Sequence, residues 1–125
     1  NQKFIDTTAE VIRDIAEEGS VVILSRGGAA ILRERDKVLR VGIVADLKDR
    51  IHRIAVRENL DSEDAIAFLE NSDRAQNAYF KKAFGSNPSD PFLYNIMINT
   101  SDVSVETAVD LISDLALNIK NKNSG

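Results

Sequence analysis

The stretch Val21-Val22-Ile23-Leu24, followed by Ser25-Arg26-Gly27-Gly28, constrains this chain more than any other. Four consecutive apolar residues, three of them β-branched, suit a short strand buried on both faces, the kind a parallel sheet requires. The paired glycines permit a tight turn and a close approach of ligand to backbone. Ala29-Ala30-Ile31-Leu32 then opens a helical pattern. Such a joint puts Ser25, Arg26 and Gly27 at the carboxyl end of a strand, where open α/β sheets bind their ligands. The planar donor fork of Arg26 suits a phosphate or carboxylate there. An ordinary strand-to-helix turn with a solvated arginine accounts for the same residues, because these joints are common in α/β folds.

The remaining segments fit that frame. Lys3 to Glu18 carries Phe4, Thr8, Val11, Ile12, Ile15 and Ala16 on one helical face, and Gly19 stops it. Val38–Ala45 reads as a second strand, and Asp46 as the N-cap of a helix over Leu47–Glu58. On that helix Leu47, Ile51, Ile54 and Ala55 form the apolar stripe, while Arg50, Arg53 and Arg57 share another face. A further helix starts at Asp61-Ser62-Glu63-Asp64 and runs, with a bend, to about Phe84 before Gly85. Pro88 to Pro91 is a loop and Tyr94–Thr100 a third strand. Ser104 caps a last helix whose stripe is Val105, Ala108, Val109, Ile112, Leu115, Ala116 and Ile119. Strands separated by helices imply parallel crossovers, so the expected fold class is α/β, a small three-layer α/β/α domain over residues 1–120 with a frayed tail at 121–125.

Composition excludes several function classes. At 125 residues the chain is about one domain. It has no cysteine, which removes disulfides, thiolate metal sites and a thiol nucleophile together. A net charge of −4 argues against a nucleic-acid footprint. No apolar run approaches the ~18 residues of a membrane span, and no leader resembles a signal peptide, so a cytoplasmic protein with no membrane partner is expected.

The lone candidates carry little. His52 is the only histidine and has no metal-ligand partner at matched spacing. Arg53 and Arg57 belong either to a site or to a solvated face bridged to Asp46, Asp49 or Glu58. Tyr79, Phe80 and Phe84 fit core packing better than a base-stacking platform, and Asp90 before Pro91 suits a turn. Ser25 lacks the partners of a nucleophilic serine. No metal site is expected.

As a set, Glu10-Val11-Ile12-Arg13 through Glu18-Gly19, Ser25-Arg26-Gly27, Ala45-Asp46-Leu47-Lys48-Asp49-Arg50-Ile51, Ser72-Asp73-Arg74, Tyr79-Phe80, Asp90-Pro91, Tyr94 and Ile98-Asn99-Thr100 resemble the bacterial cytidylate kinase-like proteins. Those proteins are similar to nucleoside-monophosphate kinases, P-loop α/β enzymes that move a phosphoryl group from Mg-ATP to CMP or dCMP. The resemblance implies that Ser25, Arg26 and Gly27 bind the monophosphate acceptor and that Arg50 lies on the ATP side. It also implies that Asp73 and Arg74 belong to a lid, at about residues 60–90, that closes over the transfer. Arginines arriving from separate elements are the equipment phosphoryl transfer needs, since its catalysis is mostly positioning and charge neutralisation.

The departures are specific. No G-x-x-x-x-G-K-[ST] occurs in these residues, so the strand and loop that cradle the ATP phosphates in the family are expected to be missing from this chain. Ser25 stands where the family has glycine. Asn71, Ala75 and Gln76 stand at lid positions that are often basic, Pro88 replaces a common tryptophan, and Asn95 an aspartate. In the resembled fold the loop-bearing strand lies between the strands at Val21–Ser25 and Val38–Ala45, so those two must pair directly or leave a gap. The expectation is a kinase-like domain inactive as an isolated chain, completed by a missing N-terminal segment or by homo-oligomerisation. The alternative is a non-catalytic nucleotide-binding or dimerisation module.

Overall fold

The computed structural model describes residues 1–25 and 27–119. The expected tail at 121–125 lies outside the described residues. Helix α1 (Gln2–Glu18) is followed by the single-turn α2 (Gly28–Ile31) and strand β1 (Val41–Val44). Helices α3 (Leu47–Arg57) and α4 (Ser62–Phe84), a 3-10 turn (Pro91–Leu93), strand β2 (Ile96–Asn99) and helix α5 (Val105–Asn118) complete the order. This is an α/β fold with a small parallel sheet. Val41 pairs with Ile96 and Val44 with Asn99.

Both strands are shorter than the expected Val38–Ala45 and Tyr94–Thr100, and further bonds tie the two segments together at each end of the ladder. Asn95 N donates to Arg40 O at 2.8 Å, and the Asn95 side chain accepts from Arg40 N at 2.7 Å. At the other end Val44 O accepts from both the backbone and the hydroxyl of Thr100, at 2.8 and 3.1 Å. Arg40 ties down the approach to β2 by donating to Leu93 O at 3.0 Å.

The expected first strand is not one. Val21–Leu24 has no ladder partner among the described residues, and Val22 and Leu24 are 86% and 83% exposed. An apolar β-branched run adopts a strand only where a neighbour satisfies its backbone. β1 pairs with β2 and with no other described segment, so of the two expected outcomes the strands do not pair directly.

Helix signals fared better because they are local. Ser104 Oγ accepts from Thr107 N at the start of α5, Asp61 Oδ1 accepts from Asp64 N at the start of α4, and Gly85 closes α4 in the left-handed conformation at φ 63°. Asp90 caps the 3-10 turn through Phe92 N. Asp46 sits at the N-cap of α3 but its side chain makes no capping bond. Two apolar faces differ from expectation. α1 buries Ile5 and Ile12, leaving Phe4 and Val11 about half exposed. α5 buries only Ala108, with Val105, Val109 and Leu117 exposed.

The α3–α4 hairpin holds a core of Ile54, Ala65 and Leu69, flanked by Ile51, Ala55 and Leu60. The far end of α4 meets α1 through an aromatic cluster. Phe80 and Phe84 pack edge-to-face at 5.2 Å, Tyr79 and Phe84 at 5.9 Å, and Phe4 reaches Tyr79 at 6.5 Å. Tyr79 Oη is buried there with no partner among the described residues. Because an unsatisfied hydroxyl costs about 1–3 kcal/mol, Tyr79→Phe is expected to raise stability by about 1 kcal/mol in urea unfolding. A loss of stability would show that the hydroxyl has a partner.

Tyr94 differs. Its hydroxyl donates to Pro88 O at 2.6 Å. Burial, then the nearby Asp90 charge, raises its pKa above the ordinary value. A raised folded value means the contribution to stability is complete below the ordinary tyrosine pKa of about 10 and is lost as pH climbs through the folded value. Spectrophotometric titration is expected to resolve one of the two tyrosines ionising late, and Tyr94→Phe to remove that transition.

Candidate functional site

α3 begins where β1 ends, at the carboxyl edge of the parallel pair, so its first turns start at that edge. Three arginines lie on it, and each meets a different partner. Arg50 donates from both terminal nitrogens to Asp73, Nη1 to Oδ2 at 3.0 Å and Nη2 to Oδ1 at 2.7 Å. Arg53 grips Thr100, Nη1 to the hydroxyl at 2.8 Å and Nη2 to the carbonyl at 3.0 Å. Arg57 pairs with Glu58 at 3.0 Å on the surface, one of the bridges the sequence offered.

The Arg50–Asp73 contact follows from hairpin geometry. Ile54 and Leu69 share the core between two antiparallel helices joined by a short turn. One helical turn outward from each, four residues back on α3 and four forward on α4, reaches Arg50 and Asp73. The side chains are 35% and 41% exposed. A pair so accessible to solvent is worth only about 0.2–1 kcal/mol. The hydrogen bonds it donates to Asp73 raise the Arg50 pKa, with burial opposing.

A second set of bonds stitches the two carboxyl-end turns together. Asp46 N donates to Ser101 Oγ at 2.8 Å, and Asn99 Oδ1 accepts from Ser101 N at 2.9 Å. With the Arg53 clamp, these fix the turn after β2 against the start of α3. Neither the Arg53–Thr100 nor the Asp46–Ser101 contact was legible in the sequence. The available signal was that Arg53 lies one turn from Arg50 on the same helix.

The other candidates are placed as follows. Arg74 is exposed and donates to Asn71 Oδ1, one turn back on α4, at 3.1 Å. Successive helical residues do not share a face, so Arg74 and Asp73 point apart. Arg26 lies outside the described residues. Ser25 and Gly27, on either side of it, both adopt left-handed backbone at φ 67° and 75°. The space above Gly27 is taken by the Phe84 ring, which a Cβ there would meet at 2.5 Å. A cleft of about 490 Å³ opens between α1, α2 and the end of α4, where Asp6, Glu10 and Arg13 face Phe84, but Ser25, Arg50, Asp73 and Arg74 do not line it. His52 is exposed. No group of three or more His, Asp or Glu that could hold a metal occurs among the described residues.

Over residues 1–102 the sequence matches the Cytidylate kinase-like family. The chain belongs to that family. Curated relatives named cytidylate kinase come from archaea. The Methanopyrus kandleri protein is 29% identical over 80% of this chain and 56% of its own length. The Aeropyrum pernix protein is 33% identical over 79% of this chain and 57% of its own. The Methanocaldococcus jannaschii protein is 28% identical over 86% and 61%. The chain therefore spans little more than half the length of the relatives it matches. A solved structure of an uncharacterized protein from Eubacterium ventriosum superposes with TM-score 0.78, covering 91% of this chain and 63% of that one at 24% identity, which speaks to the fold alone. No helix among the described residues is long and apolar enough to cross a membrane.

The left-handed backbone of Ser25 is strained for a residue with a Cβ by about 1–2 kcal/mol. Part of that is offset by the entropy a glycine loses on folding. Ser25→Gly is thus expected to raise stability by up to about 1 kcal/mol in urea unfolding, and a clear decrease would mean the serine hydroxyl compensates the strain.

Proposed function

We propose that this cytidylate kinase-like chain forms part of an enzyme that transfers a phosphoryl group from Mg-ATP to CMP or dCMP. The observation that carries this reading is the family match over residues 1–102, a span that includes Arg26, Arg50, Asp73 and Arg74. In it Ser25, Arg26 and Gly27 receive the acceptor phosphate, Arg50 the donor nucleotide, and Arg74 with Asp73 acts from the lid. Each arginine supplies fixed positive charge and a donor fork suited to phosphate oxygens. Holding donor and acceptor together while neutralising spread negative charge is most of what such catalysis requires. In this reading magnesium arrives on the ATP phosphates. The reading places the protein in the cytoplasm, where nucleotides and ATP occur.

In this proposal the cradle for the ATP phosphates comes from outside these 125 residues, none of which form a G-x-x-x-x-G-K-[ST]. The run around Val22 and Leu24, exposed and without a ladder partner among the described residues, supports a further strand beside it, from the same polypeptide or from a second copy. The alternative of a non-catalytic nucleotide-binding or dimerisation module draws its support from Arg50 being neutralised by Asp73.

A coupled assay with CMP and ATP decides between them. The full-length protein is expected to turn over CMP, the isolated 125-residue chain negligibly, and Arg50→Ala in the full-length protein to lower kcat/KM by about 10²-fold or more. CMP and ATP binding in calorimetry without turnover by the full-length protein would establish the non-catalytic alternative. A rate in the isolated chain equal to that of the full-length protein would refute the external cradle.

A further inference from the structure

Arg50 and Asp73 are both candidate site residues, and the structure spends them on each other. We propose that Asp73 is a built-in occupant of the Arg50 fork, holding the place of a polyphosphate's paired oxygens, so that their contact is a latch between α3 and α4 which an incoming nucleotide exchanges for its own anion. The proposal rests on the reading of Arg50 as the donor-side arginine and adds a mechanism of regulation to it.

Four observations carry it. Both carboxylate oxygens are engaged side by side by the two terminal nitrogens, at 2.7 and 3.0 Å. This is the parallel two-bond geometry that guanidinium offers equally to carboxylate and phosphate. Second, the side chains are 35% and 41% exposed, so an anion reaches the fork from solvent and opening the pair strands no buried charge. Third, the hairpin does not depend on the contact, because its core of Ile54, Ala65 and Leu69 lies one turn inward on both helices. Fourth, the neighbouring Arg53 is committed to a neutral partner, the hydroxyl and carbonyl of Thr100, and so has no carboxylate to exchange. The same α3 face thus carries one arginine serving as a fixed brace and one neutralised by an exchangeable acid.

A latch of this kind competes with its ligand, whereas a carboxylate that merely orients the arginine assists it, and the two predict opposite signs. An exposed ion pair is worth about a 1.5- to fivefold change in an equilibrium constant. Calorimetry of the full-length protein with inorganic tripolyphosphate and with ATP, at one fixed low salt concentration, therefore compares wild type with Asp73→Asn and Asp73→Ala. Each variant is also made in an Arg50→Gln background. The latch requires both Asp73 variants to bind tripolyphosphate about 1.5- to fivefold tighter than wild type, with the gain abolished by Arg50→Gln. Two substitutions guard against a local packing artefact, and a thermal melt confirms that each is folded.

Unchanged or weaker binding in both variants overturns the latch. If ATP binding nevertheless depends on Arg50, the donor-side reading survives and Asp73 is a positioning residue. An Arg50-dependent gain with tripolyphosphate in a protein that transfers nothing to CMP supports the latch and removes the kinase reading. If neither probe binds wild type or any variant, both fall together.

Discussion

The parallel ladder between Val41–Val44 and Ile96–Asn99 is the constraint on which the rest of this structure depends. Parallel strands cannot be joined by a tight turn. The chain leaving β1 has to travel back along the sheet before β2 can begin. Here the return is an αα-hairpin, α3 and α4, closed by Ile54, Ala65 and Leu69. The start of α3 is thereby pinned at the carboxyl edge of the sheet beside the turn that follows β2. The bonds from Asp46 to Ser101, Arg53 to Thr100 and Thr100 to Val44 all span more than 45 residues of sequence and exist only because the ladder aligns their backbones.

That placement governs the electrostatics. Carboxyl ends of parallel strands are where α/β proteins present polar groups to ligands, and this edge receives two arginines one helical turn apart. The fold treats them unequally. Arg53 is consumed in bracing a loop, while Arg50 meets an acid on the opposing helix. The Arg50 fork is solvent-accessible, so the pair with Asp73 holds the guanidinium in one orientation without burying either charge. The fold also leaves apolar surface uncovered at Val22, Leu24, Ile43 and along α5.

Much of this was legible from residue order. The boundaries of α1 and α3, the caps at Asp61 and Ser104, the stop at Gly85 and the turn at Asp90 all rest on interactions within four residues, which sequence displays directly. The two observed strands were found for the same reason, as short β-branched runs. Val21–Leu24 has the same composition and is not a strand, because strand formation requires a neighbour that composition does not supply. The faces of α1 and α5 misled similarly: periodicity says which residues share a side, not what lies opposite them.

The candidate site divides along the same line. Sequence by itself identified the α/β class, the arginine-bearing face of α3 and a family resemblance resting on scattered short motifs, and that resemblance alone singled out Asp73 and Arg74. Residue type and local spacing carry those properties. Only the tertiary structure decided that Asp73 belongs to Arg50, that Arg53 belongs to Thr100, that Arg74 turns to its own helix, and that Phe84 covers Gly27. Each of those is a meeting of groups between 23 and 57 residues apart, except for Arg74. Such meetings are set by how helices and strands pack against one another, and packing is a property of the whole chain that no short window of sequence contains.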